Sequence, residues 1–177
     1  MKRQMIRNTC LVIAIGILGY ASWLKLNKET SSLLYQAHAA VKAEYGDFYI
    51  PSKEIDTEVL KNVYGIQMDD VEDYIAESAM MRTHVDVFIG IKAKKGKSDG
   101  IVNVLETHRQ RLSDEYRGDS AKFAKIQASK VTKFGDYVFF MVLGQNSDAV
   151  VSDVSYFLAT AQTEFRRGEL VLGNIFK

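Results

Sequence analysis

From residue 33 onward, the spacing of apolar residues predicts five helices. Apolar side chains recur at intervals of three or four over 33–45, 56–64, 98–117, a shorter stretch from 120, and 147–167. Glycines follow four of these segments, where a left-handed residue commonly ends a helix: Gly46, Gly65, Gly118 and Gly168. The apolar tail over 170–176 favours either an extra strand or a loose end.

Between the helices, apolar and polar residues alternate with the period of two that is typical of strands. Strands are predicted over 71–81 and 82–93, and a hairpin over 131–143 with Gly135-Asp136 at its turn. The second strand divides into a dry face (Val85, Val87, Ile89, Ile91) and a partly wet face (His84, Asp86, Phe88, Lys92). The pattern therefore predicts an α+β fold, with an antiparallel sheet of about four strands in two hairpins and helices on one side.

The N-terminal 27 residues have a different pattern. A basic lead with Lys2, Arg3 and Arg7 precedes an uncharged apolar run over 9–24. This predicts a single membrane anchor with a cytoplasmic N-terminus, and an extracytoplasmic domain over 28–177. A cleaved export signal is the alternative, with processing after Ala21 and release of a soluble factor.

Charge and cysteine content exclude several classes of protein. The chain has 23 basic and 22 acidic residues, so its net charge of +1 gives no global field for nucleic acid. Cys10 is the sole cysteine and lies in the apolar run, which excludes a disulfide framework within the chain and a zinc site of cysteines. We predict no cofactor and no metal. Four lysines form a local candidate patch for an anionic partner: Lys92, Lys94, Lys95 and Lys97.

The stretch GIKAKKGKS at residues 90–98 is not a nucleotide-binding phosphate loop. Such a loop has four residues between its glycines, whereas five separate Gly90 from Gly96. Gly90 also lies within the alternating pattern of a strand. We expect no nucleotide partner.

Candidate catalytic residues are few. His84 and Asp86 share a strand face, so the carboxylate is placed to orient the imidazole, but the sequence has no Gly-x-Ser-x-Gly elbow. His108 lies on an apolar helical stripe and is expected at the edge of the core, whereas His38 is expected to face solvent. The acidic cluster at 69–73 lacks the spacing of a calcium loop and is expected to be a hydrated loop or a weak cation site.

Several segments in a fixed order resemble a known family. They are Val63–Ile66, Ala79–Met81, Asp86–Ala93 and Lys133–Phe139. Over roughly 55–145 the chain resembles a domain of unknown function found in small exported or membrane-anchored proteins of Gram-positive bacteria. The resemblance implies no catalytic residues. It implies an envelope setting, since similar proteins are encoded beside membrane-bound O-acyltransferases and their extracellular partners, which modify surface polysaccharides.

We therefore expect a membrane-anchored accessory or binding protein of the cell envelope rather than an enzyme. Its expected partner is a membrane protein or a cell-surface glycan assembly. Two alternatives remain open, a small surface hydrolase that uses His84 and Asp86, and the secreted factor.

Overall fold

The computed structural model describes residues 32–81, 83–145 and 154–177 of the chain. They form a five-stranded antiparallel sheet with helices on both faces. The strands are β1 (Lys53–Glu54), β2 (Val71–Ser78), β3 (Val87–Ala93), β4 (Val131–Phe134) and β5 (Tyr137–Val142). The helices are α1 (Leu33–Tyr45), α2 (Thr57–Asn62), α3 (Ser98–Glu115), α4 (Ser120–Ala128) and α5 (Val154–Ile175). The predicted α+β class is confirmed.

The strand order is β1-β2-β3-β5-β4. Two hairpins, β2-β3 and β4-β5, lie side by side because β3 pairs with β5. Helices α3 and α4 connect the hairpins. The sheet has one strand more than predicted, since the two-residue β1 pairs with the end of β2.

The sheet is buried on both faces, and the prediction of helices on one side is wrong. One face, with Ile89 and Ile91, packs against α2, α3 and α4 through Leu60, Leu105 and Ile126. The opposite face carries Phe88, Phe139 and Met141 and packs against α1 and α5. The alternating pattern predicts Phe88 on a partly wet face, yet Phe88 is fully buried because α1 covers that side.

Gly90 explains why α1 can lie so close to the sheet. It is buried in β3, between Ile75 of β2 and Phe139 of β5. A Cβ added at Gly90 would lie 3.0 Å from Leu34 Cδ1 of α1 and 3.0 Å from Phe139 Cε1. Gly90, the first glycine of the stretch that does not match a phosphate loop, therefore allows close packing between α1 and the sheet.

The last helix extends beyond its predicted C-terminal end, whereas its predicted start at Ser147 lies outside the described residues. Helix α5 continues through Gly168 to Ile175, so the predicted stop at Gly168 and the strand-like tail are wrong. Gly168 is buried against α1, where an added Cβ would lie 2.8 Å from Tyr45 Oη. The Tyr45 hydroxyl donates a hydrogen bond to the Glu164 carbonyl at 2.6 Å. Gly168 thus allows close contact between two helices instead of ending one.

The predicted membrane anchor lies in residues 1–31, outside the described residues. Within the ranges that are described, no helix is both long and apolar enough to cross a bilayer.

Candidate functional site

The two catalytic candidates lie together at the start of β3, beside a buried lysine. His84 Nδ1 is 3.8 Å from Asp86 Oδ2. The Lys125 ammonium of α4 donates to Asp86 Oδ1 at 2.7 Å and to the Gly144 carbonyl at 2.8 Å. The side chains of Asp86 and Lys125 are 0% and 7% exposed, so this ion pair is almost dry.

Burial governs the electrostatics of this pair. Loss of hydration raises the pKa of Asp86, although the Lys125 charge opposes the rise. Burial likewise lowers the pKa of Lys125, against the attraction of Asp86. Asp86 Oδ2 makes no hydrogen bond within the described part of the chain, since the His84 nitrogen is too distant for one. The carboxylate is therefore held chiefly by Lys125 and does not orient His84 as a catalytic dyad requires.

The predicted basic patch and the acidic cluster face each other across β2 and β3. Lys92 Nζ is 2.6 Å from Glu72 Oε1, and Lys97 Nζ is 2.9 Å from Asp70 Oδ1. Lys94 donates to the Asp69 carbonyl at 2.6 Å. Three of the four lysines thus contact the acidic segment 69–73, for which the sequence predicts a hydrated loop or a weak cation site. Among the described residues, no three His, Cys, Asp or Glu side chains are grouped to hold a metal ion.

His38 is not solvent-facing as predicted. Its Nε2 lies 3.0 Å from Tyr49 Oη and 3.1 Å from Glu77 Oε2, and its ring packs near Phe88. The Tyr49 hydroxyl also donates to Glu77 Oε2 at 2.9 Å. The sequence pattern missed this cluster because α1 lies over a sheet face that was expected to be wet.

His108 lies at the core edge, as its apolar stripe predicts. Its ring stacks on Tyr64 with centroids 4.4 Å apart. Arg111 Nη2 is 2.8 Å from His108 Nδ1 and donates to the Val63 carbonyl at 2.7 Å. A guanidinium can only donate, so His108 Nδ1 accepts and the imidazole is neutral. Burial, with the Arg111 charge as a smaller cause, lowers the pKa of His108 to about 4.

This neutral histidine leads to a testable pH dependence. The unfolded imidazole has a pKa of about 6.5, so between that value and about 4 the unfolded chain binds more protons. The contribution of His108 to the free energy of unfolding is therefore complete above the unfolded pKa and disappears as pH falls to about 4. We expect the wild type to lose about 2–3 kcal/mol from this residue between pH 7 and pH 4, at about 1.4 kcal/mol per pKa unit.

Urea unfolding of the full-length chain in nonionic detergent, at several pH values, measures the effect. His108→Gln is the control, since it keeps His38, whose pKa burial also lowers, and all carboxylates. The loss of stability on acidification should be smaller in His108→Gln. Equal losses in both proteins would contradict the assignment.

Two adjoining cavities flank this histidine. The larger, about 500 Å³, lies between α3 and the β2-β3 connection; we call it the methionine cleft because Met80 and Met81 line it. The smaller, about 380 Å³, lies between α3 and the segment after α2; we call it the arginine pocket because Arg111 lines it. Val63, Tyr64 and His108 line both cavities.

The methionine cleft is bordered by exposed apolar side chains. Met80 is 75% exposed, Met81 60% and Val63 46%. His84, Asp86 and Ser78 also contribute to its lining. The predicted His84–Asp86 pair thus lies at a concave surface, next to Met80 and Met81, which the sequence pattern predicts only as the end of a strand.

The family model described as a domain of unknown function (DUF4358) matches residues 44–143, more than half of the 177-residue chain. That span holds β1 to β5, α2 to α4 and both cavities. No curated protein and no solved structure gives a significant match. The chain therefore belongs to the DUF4358 family of domains of unknown function.

Proposed function

We propose that this protein is a non-catalytic accessory protein of the cell envelope. In this proposal the segment 9–24 holds it in the membrane with the N-terminus in the cytoplasm, and the folded domain lies outside the cell. The domain binds a segment of another protein in the methionine cleft. The proposal is supported by the basic lead followed by an uncharged apolar run, and by the resemblance of this chain to a domain found in exported or membrane-anchored proteins. A membrane-bound O-acyltransferase or another polysaccharide-modification assembly is the partner class that this setting favours.

One observation carries the binding function, the cluster of exposed apolar side chains at the cleft. Single exposed apolar residues are common on protein surfaces. Here Met80, Met81 and Val63 border one cavity of about 500 Å³. Grouped apolar exposure beside a concavity is typical of interaction sites, and methionine adapts its shape to a partner. An apolar peptide side chain is the complementary occupant.

The alternative, a small hydrolase, has one observation in its favour. Ser78, His84 and Asp86 line the same cleft. The Lys125 ion pair weighs against it, because it engages the carboxylate and leaves 3.8 Å between Asp86 Oδ2 and His84 Nδ1. Turnover of p-nitrophenyl acetate that is lost in both Ser78→Ala and His84→Ala would favour the hydrolase.

Mass spectrometry of the protein from cells distinguishes the secreted alternative from the membrane anchor. An intact Met1 indicates the anchor, and a new N-terminus at Ser22 indicates secretion.

Site-specific photo-crosslinking tests the accessory function. We expect a photoreactive phenylalanine at position 80 or 81 of the full-length chain, in host membranes, to capture one and the same membrane protein, identified by mass spectrometry. The reason is that these side chains border the cleft. Excess unlabelled wild type should compete, whereas a Met80→Asp/Met81→Asp variant should not.

Position 170 provides the matched control. Leu170 is also strongly exposed but lies on α5 and does not line the cleft. Capture of the same protein in equal yield from position 170, or no crosslink at 80 and 81, would overturn the proposed function.

A further inference from the structure

Arg111 carries a positive charge that has no acidic partner among the described residues. The neighbouring arginines differ. Arg109 pairs with Glu106 at 2.7 Å, and Arg117 pairs with Asp114 at 2.6 Å. Arg111 instead makes its two hydrogen bonds to neutral acceptors, the Val63 carbonyl and His108 Nδ1.

These two bonds position the guanidinium and leave other donors available. Both pass through the same nitrogen, Nη2, so the N–H groups of Nε and Nη1 are not used in them. The neutral His108 acceptor and the Val63 carbonyl fix the side chain at the rim of the arginine pocket. Asn62 and Asn103, which also line this pocket, add amide groups. Such a site suits an anion, because hydrogen bonds between a guanidinium and a carboxylate are charge-assisted.

The charged residues that line the two cavities give this surface a positive charge, like that of Arg111. Lys53, Arg111 and Glu115 line the two cavities, and Asp86 is compensated by Lys125. Among the described residues that line the two cavities, two cations against one uncompensated acid give a net positive charge. The adjoining methionine cleft is bordered by apolar side chains, which favours a peptide over a glycan, since a sugar would place hydroxyl groups against them.

We propose that Arg111 binds the carboxylate of an acidic residue in a partner protein, and that an apolar side chain of the same segment occupies the methionine cleft. The inference rests on the proposed function and specifies its partner chemically. The shared wall of Val63, Tyr64 and His108 makes one continuous surface for both contacts. The segment of the partner protein is thus expected to have an acidic residue next to an apolar residue.

Two matched peptides test the proposal, acetyl-Asp-Leu-Leu-amide and acetyl-Asn-Leu-Leu-amide. They are titrated into the full-length chain in nonionic detergent, with ¹³C-labelled methionine methyl groups as the NMR probe. Met80 and Met81 signals are assigned by Met→Leu substitution. We expect the aspartate peptide to shift these signals and to bind about ten-fold more tightly than the asparagine peptide, a factor typical of one charge-assisted contact. Arg111→Gln should abolish the preference.

Arg109→Gln is the control variant, since Arg109 lies on the same helix but is paired and lines neither cavity. It should keep the ten-fold preference. Methyl spectra of the unliganded variants establish that each is folded.

Equal affinities for both peptides in the wild type would overturn the role of Arg111 and leave cleft binding intact. Absence of any shift with either peptide would overturn the inference, while the crosslinking experiment tests the proposed function separately. Arg111-dependent binding of trigalacturonate without peptide binding would also overturn it, in favour of an acidic glycan.

Discussion

Replacing Lys125 by methionine is expected to lower the free energy of unfolding by about 3–5 kcal/mol at neutral pH. The substitution preserves the volume of the side chain but leaves the Asp86 carboxylate buried without its cation. Asp86 Oδ1 would lose its 2.7 Å hydrogen bond, and Oδ2 already lacks one within the described residues. The Gly144 carbonyl would lose its 2.8 Å donor as well. Urea unfolding of the full-length chain in nonionic detergent measures the change.

Lys122→Met is the matched control for this prediction. Lys122 lies one turn earlier on α4 and pairs with Asp119 at 2.8 Å, but both partners are partly exposed. Its loss should change stability by less than about 1 kcal/mol, as surface ion pairs contribute little. Lys125→Met/Asp86→Leu should recover most of the stability, because no buried charge remains. A loss in Lys125→Met no larger than in Lys122→Met would contradict the structural role of the pair.

The pH dependence of the same variant provides a second criterion. Without Lys125, desolvation raises the folded pKa of Asp86 further, so the folded variant binds a proton at a pH where the unfolded chain does not. The stability gap between variant and wild type should therefore narrow as pH falls. This change is specific to a buried carboxylate, since a packing defect alone would leave the gap constant.

Local sequence patterns were enough to predict an element where residues close in sequence determine its structure. The β4-β5 hairpin was predictable because Gly135, with φ +60, supplies a left-handed residue between two alternating runs. The first helix was predictable from its apolar spacing, and it ends at Gly46 as expected. Asp56 likewise caps α2 by accepting from the Val59 N–H at 2.8 Å.

Errors arose where tertiary packing overrides the local signal. Gly168 appears in the sequence as a helix stop, yet in α5 it is a contact point for Tyr45. Phe88 and Lys92 share a strand face, which suggested a wet side, but Lys92 lies at the end of β3 while Phe88 lies under α1. The two-residue β1 has no detectable period and exists because β2 offers a free edge.

The candidate site was only partly predictable for the same reason. The spacing of two residues between His84 and Asp86 correctly placed them near each other. Lys125 is 39 residues away in sequence and lies on a helix whose placement determines the contact. The arginine pocket depends on the 48-residue separation between Arg111 and Val63. No local pattern marks such pairs, although a lysine flanked by Ala124 and Ile126 is a weak indication of burial.

Replacing Gly144 by alanine is expected to destabilise the fold by about 3 kcal/mol, through backbone strain and overpacking together. Gly144 follows β5 with φ +106, a conformation that residues with a Cβ rarely adopt. A Cβ there would lie 2.6 Å from Glu164 Cβ and 2.5 Å from Glu164 Oε2, so α5 itself would have to shift. Glu164 also accepts hydrogen bonds from Tyr45 and Arg167, which means that the shift would disturb the contact between α5 and α1.

Gly135→Ala separates these two causes. Gly135 also has a positive φ, +60, but no atom of the described residues lies within 4 Å of an added Cβ. Its substitution should therefore cost only the left-handed backbone term, about 1 kcal/mol. The shorter side chain in Glu164→Ala should reduce the cost of Gly144→Ala by removing the clash with Cγ and Oε2, while the clash with Cβ remains. Equal losses for Gly144→Ala and Gly135→Ala, measured by urea unfolding, would show that α5 does not press on Gly144. A larger loss for Gly144→Ala would show that α5 presses on Gly144, the residue whose carbonyl also accepts a hydrogen bond from Lys125.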